Sequence, residues 1–172
     1  MVIPARMKAF RIAGILLVAS LPQCPSVIAS TNQEAPQPLD PLENIVTRIN
    51  WEDPNLSDVA YVGTRAGALF STVAEFVRRG NDSDKKLAEE IKKKAIVFLH
   101  VGRVLHTGVN GGTEEGFARR YKLLLERYTK MMAESKTLNN SIASQQVRSD
   151  TNAANSVFPA YQQLFARMTD KK

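Results

Sequence analysis

From Leu56 to Met168 the apolar residues of this chain recur at three- and four-residue intervals in four successive segments, and nowhere do they alternate with period two. That regularity confines the chain to packed helices, because a half-buried strand needs alternation and a surface helix needs a stripe. The first stripe, Val59, Val62, Ala66, Leu69, Phe70, Val73, Phe76 and Val77, predicts a helix from Leu56 to Arg79 that Gly80 ends. "NDSD" at 81–84 then caps a second helix running to about His106, with Leu87, Ile91, Ala95, Phe98, Val101 and Leu105 on one face. "TGVNGG" reads as an open loop, and Thr113 caps a third helix carrying Phe117, Tyr121, Leu124, Leu125, Tyr128, Met131 and Met132.

"TLNNS" precedes the last helix, in which Val147, Ala154, Val157, Phe158, Tyr161, Phe165 and Met168 keep one phase across Pro159, predicting a single helix bent there. Ahead of all four, "PLENIVTRI" supports a short helix starting at Pro41, and "NWEDPN" breaks it. Trp51, beside that break, is expected to plug one end of the core. Short loops between four main helices predict an all-α fold over 41–170: an antiparallel four-helix bundle with a short extra N-terminal helix.

The first 29 residues are expected to be a leader and not part of this fold. Arg6, Lys8 and Arg11 precede the uncharged run "IAGILLVASL", and "SVIAS" offers small residues for cleavage after Ala29. The run falls well short of the ~20 residues that a spanning helix needs, so no transmembrane segment is expected. Residues 30–40, polar and carrying Pro36 and Pro38, read as a flexible tether. Localisation is accordingly expected to be secreted or periplasmic. Cys24 leaves with the leader, so the fold must hold without disulfides, which a domain of this size can do. The 23 basic residues outnumber the 17 acidic ones, but three basic residues and no acidic residue lie in the leader. The remaining 20 against 17 leave a net of +3, which speaks to solubility and gives no argument for nucleic acid, an odd partner for an exported protein.

Within the first main helix, Gly63 and Gly67 fall in line with Ala60, Ser71 and Ala74 as a ridge of small residues. Each glycine costs about 1 kcal/mol relative to alanine, which calls for a compensating contact. Two contacts fit: a neighbouring backbone, with Gly102 as counterpart, or a ligand in the gap. Arg65 lies on the other shoulder, one turn from Tyr61 and on the side of Asp58 and Thr72, where it pairs with Asp58 or with a neighbouring helix. Tyr121, Tyr128, Asp150 and Tyr161 also fall on buried stripes. Together with Arg65, Gly63, Gly67 and Tyr61 they form the candidate site for a small anionic or planar ligand.

Catalysis finds little to stand on. No serine sits in a nucleophile elbow or triad context, and the cysteine is lost. His100 and His106 are about 240° apart around a helix and cannot share a metal from one face. No metal site and no cofactor are predicted. Covalent haem lacks its CxxCH motif, while non-covalent haem on His106 with Met131 or Met132 belongs to the small-ligand alternative. Paired acidic residues such as Glu114 and Glu115 read as first-turn charges.

The second main helix is apolar nearly all round at "AIVFLHVGRVL", which reads as a buried helix or a partner surface. Ile96, Val97, Leu99 and Val104 point away from its main stripe and His100 lies at its edge; Ile96, Leu99, His100 and Val104 are the candidate partner-binding residues. Trp51 and the short N-terminal helix are the intramolecular alternative for covering them. The expected function is an exported, non-enzymatic binding module of inhibitor, adaptor or chaperone type, a monomer or homodimer with a protein partner. A small-ligand carrier or sensor is the alternative.

Overall fold

The computed structural model describes residues 39–108, 111–137 and 141–170. The expected leader, and the tether before Leu39, lie outside the described residues. Five helices make up the regular structure: α1 (Leu42–Val46), α2 (Leu56–Val77), α3 (Asp82–Gly108), α4 (Glu114–Thr137) and α5 (Ser141–Thr169). No strand occurs among the described residues, and the fold is all-α. None of these helices is long and apolar enough to cross a membrane.

α3 and α4 start at the predicted caps, and α2 starts at one that the sequence reading does not single out. Asn55 Oδ1 accepts from the Ser57 amide at 2.9 Å. Asn81 and Asp84 cap α3 reciprocally, each side chain accepting from the other's amide at 3.1 and 3.0 Å. Thr113 Oγ1 accepts from Gly116 N at 3.0 Å. The ends shift slightly from expectation. α2 stops at Val77, where Gly80 N closes onto the Val77 carbonyl at 3.0 Å, and α3 runs on to Gly108. Pro41 is the N-cap of α1, not its first residue. α5 is one helix through Pro159, as its unbroken phase requires.

The helix buried on nearly every side is α2, not α3. Its run from Val62 to Phe70 is buried without interruption, whereas α3 buries Ala88, Ala95, Phe98, Val101, Gly102 and Leu105 along one face. α2 touches all four other helices, and its small residues let them approach closely. Residues of α2 and α3 pair in opposite order, Gly63 with Gly102 and Phe70 with Phe98. Those of α3 and α5 pair in the same order: Lys94 with Asn155, Phe98 with Phe158, His100 with Phe165. Phe98 lies between Phe70, Phe158 and Tyr161 at centroid distances of 5.7, 5.5 and 4.6 Å. Fully burying such a ring contributes about 1.5–3 kcal/mol. Trp51 meets Tyr161 edge-on at 6.1 Å but stays 37% exposed, a lid at the margin more than a plug.

Candidate functional site: a buried arginine, tyrosine and aspartate

Arg65 projects from the middle of α2, Tyr128 from α4 and Asp150 from α5, and all three are fully buried. Arg65 Nη2 donates to Asp150 Oδ2 at 2.7 Å, and Arg65 Nε donates to the Tyr128 hydroxyl at 2.9 Å. That hydroxyl in turn donates to Asp150 Oδ2 at 2.5 Å. The other carboxylate oxygen accepts from Gln146 Nε2, one turn earlier on α5, at 3.0 Å and from the Leu42 amide at 2.9 Å. Asp150 therefore supplies the cap that Pro41 does not give α1, and one carboxylate ties four helices together.

The charges within the cluster are matched internally. Burial alone would lower the Arg65 pKa, but the interactions with Tyr128 and Asp150 outweigh it and hold the guanidinium protonated more firmly than usual. Burial pushes the Tyr128 hydroxyl well above its ordinary range; Arg65 opposes that rise and Asp150 reinforces it. Arg65 Nη1 is buried without a hydrogen-bond partner. Arg65, Tyr128 and Asp150 are each at zero exposure, while Gln146 at the edge of the cluster is half-buried.

The candidate ligand set therefore divides. Arg65, Tyr128 and Asp150 come together, and Arg65 pairs with the neighbouring helix and not with Asp58. Tyr161 is elsewhere, fully buried, its hydroxyl donating to the Val59 carbonyl at 2.5 Å; burial raises its pKa well above the usual range. Tyr61 is half-buried against the main core. Tyr121 reaches Ser71 Oγ at 3.3 Å beside an open cleft of about 240 Å³ between α2 and α4, which Phe76, Arg79 and Leu125 also line.

No gap opens beside the glycines. A methyl group on Gly63 would lie 2.9 Å from the Phe98 carbonyl oxygen and 3.0 Å from Gly102 Cα, and one on Gly102 would lie 2.8 Å from Thr64 N. The two backbones are in contact, which answers the cost of both glycines. On Gly67, a methyl group would lie 2.5 Å from Leu99 Cγ, so that side chain fills the space where a ligand was the alternative.

The α3 residues divide too. Ile96 is 53% exposed, whereas Leu99 is half-buried over Gly67. His100 is half-buried with its ring edge-on to Phe165 at 5.0 Å, and Val104 is half-buried. Val97 packs against the main core. α1 does not cover this face; among the described residues it packs on α5 and α2. His106 Nε2 is buried beside Gly112, and its ring lies 6.2 Å from that of Phe117. Met131 packs with Tyr128 in the second core cluster.

Two groups escaped the sequence reading. Gln146 was legible as the residue four before Asp150, on the same helix face. The Leu42 amide was not, because nothing local marks a helix start that a distant carboxylate caps. Comparison with protein-family models, with curated proteins and with solved structures finds no match for this chain.

Proposed function

We propose that this chain is an exported, non-enzymatic helical-bundle module that binds another protein, in the manner of an inhibitor, adaptor or chaperone. The observation that carries the reading is the closure of the interior: Leu99 fills the glycine shoulder, and the cationic group best suited to a small anion is matched inside the core by Asp150 and Tyr128. Recognition is thereby left to the surface, and there α3 presents Ile96, flanked by the half-buried Leu99, His100 and Val104. In this reading the four long helices form an antiparallel bundle, to which the opposite residue order of α2 with α3 and of α2 with α5 lends support. The leader delivers the module to the periplasm or the exterior, as monomer or homodimer. Ile96→Glu tests the reading better than a change at Leu99, which would also disturb the α2 contact. It should abolish association with the partner while leaving helix content by circular dichroism unchanged. Association that survives Ile96→Glu would remove α3 as the binding face.

A small-ligand role keeps one specific support, the cleft beside Tyr121, whose rim carries Arg79 and Glu75. Arg79 there is already engaged by Glu75 at 3.7 Å. This places the carrier reading second.

A further inference from the structure

Ser71, Glu75 and Arg79 follow one another at intervals of four along α2 and the turn after it, and Tyr121 and Leu125 do the same on α4. Residues at that spacing share a helix face, so each element presents a straight wall. Between the walls lies the open cleft of about 240 Å³ that Phe76 also lines. The bond from the Tyr121 hydroxyl to Ser71 Oγ, at 3.3 Å, joins the two walls. Phe76 and Leu125, both half-buried, make the apolar part of the lining.

The charges at this cleft do not balance. Arg78 Nη2 lies 3.2 Å from Glu75 Oε1 and 3.0 Å from Oε2, and so takes up that carboxylate. Arg79 Nη2 comes only within 3.7 Å of Glu75 Oε1, beyond hydrogen-bond reach. Two guanidinium groups thus share one carboxylate, and among the described residues Arg79 makes no hydrogen bond. Its guanidinium is held over the Phe76 ring instead, 5.3 Å from the centroid, which keeps the cation at the cleft.

We propose that the cleft between α2 and α4 binds a monocarboxylate with a short apolar body, its carboxylate on Arg79 and its body against Phe76 and Leu125. The planar fork of a guanidinium matches a carboxylate, and a single surplus positive charge matches a monoanion. Arg79 is 68% exposed and Glu75 48%, so water and salt screen the contact and the affinity is about millimolar. A ligand held that weakly leaves during purification, so it is not expected among retained species. The proposal rests on the small-ligand reading placed second above and gives that reading its chemical class.

The test is an NMR titration of the full chain, at constant low ionic strength, with sodium hexanoate, sodium acetate, 1-hexanol and hexylammonium chloride. It is followed on the backbone amides of Phe76, Arg79, Tyr121 and Leu125. Hexanoate should shift them saturably and bind about tenfold more tightly than acetate, because its methylenes leave water in the cleft. 1-Hexanol and hexylammonium should not saturate. Arg79→Gln should weaken hexanoate about tenfold, through loss of its charge-assisted bonds. Glu75→Gln should tighten hexanoate about threefold, because the carboxylate that competes for Arg79 is gone. Both positions are exposed, so neither change disturbs the core, and a merely structural role would not give the two opposite signs. The carboxylate assignment is overturned if 1-hexanol or hexylammonium binds as tightly as hexanoate, if acetate does, or if Glu75→Gln weakens hexanoate; a small-ligand cleft would then still stand. Saturable binding by none of the four probes overturns the proposal and removes the support for the small-ligand reading with it.

Discussion

Asp150 holds Arg65 at 2.7 Å with both side chains at zero exposure, yet the two depend on each other unequally. Without Arg65, Asp150 retains three donors: the Tyr128 hydroxyl, Gln146 Nε2 and the Leu42 amide. Without Asp150, Arg65 retains a single acceptor, the Tyr128 hydroxyl, and its Nη1 is already without a partner. Breaking a buried pair costs about 3–5 kcal/mol because an uncompensated charge stays inside. Asp150→Leu should reach that range, and Arg65→Met should cost clearly less. Chemical denaturation of the two variants gives the order, and the reverse order would contradict the donor arrangement.

The backbone contact between α2 and α3 makes a second ordered prediction. At Gly63 and Gly102 an added methyl group meets backbone atoms that cannot rotate away, whereas at Gly67 it meets Leu99 Cγ and Cδ2 at 2.5 and 2.6 Å, side-chain atoms that can shift, with the nearest backbone atom, Leu99 N, at 3.3 Å. Overpacking costs about 1–3 kcal/mol, against about 1 kcal/mol gained in helix propensity. Gly102→Ala and Gly63→Ala should therefore lower the thermal midpoint, and Gly67→Ala should lower it least.

How much of this was legible beforehand depends on the range of the interaction. The helices and the caps at Asn81 and Thr113 follow from spacing and acceptors within a few residues. The apolar phase of α5 crosses Pro159 unbroken, and the helix does too. Arg65, Tyr128 and Asp150 could each be placed on a buried stripe, but their convergence spans 63 and 85 residues of chain. It depends on the lateral order of helices, which no stripe specifies. The same blindness exchanged the roles of α2 and α3. An apolar run such as "AIVFLHVGRVL" looks more buried than "YVGTRAGALF", yet the small residues of the second let four helices crowd against it.

Alkaline stability should report on the two buried phenols. Burial raises the pKa of both Tyr128 and Tyr161 above the ordinary value of 10.0. For a group raised in the folded state, the unfolded chain loses its proton first. The stabilisation is therefore complete below pH 10 and falls as pH climbs beyond it. Denaturation midpoints measured on either side of pH 10 should show that fall, and Tyr161→Phe should make it shallower while costing about 1 kcal/mol at neutral pH for the lost bond to Val59.

Processing can be checked on protein recovered from outside the cytoplasm. Its intact mass should correspond to a chain beginning near Ser30. Met1 retained on a membrane-bound form would contradict cleavage after Ala29.

The central claim, that this module engages a protein and not a small molecule, is tested most directly by native mass spectrometry of the chain purified from its own host. The account predicts a stoichiometric protein partner that is lost with Ile96→Glu, and no retained small molecule. A stoichiometric small ligand with no protein partner would contradict it.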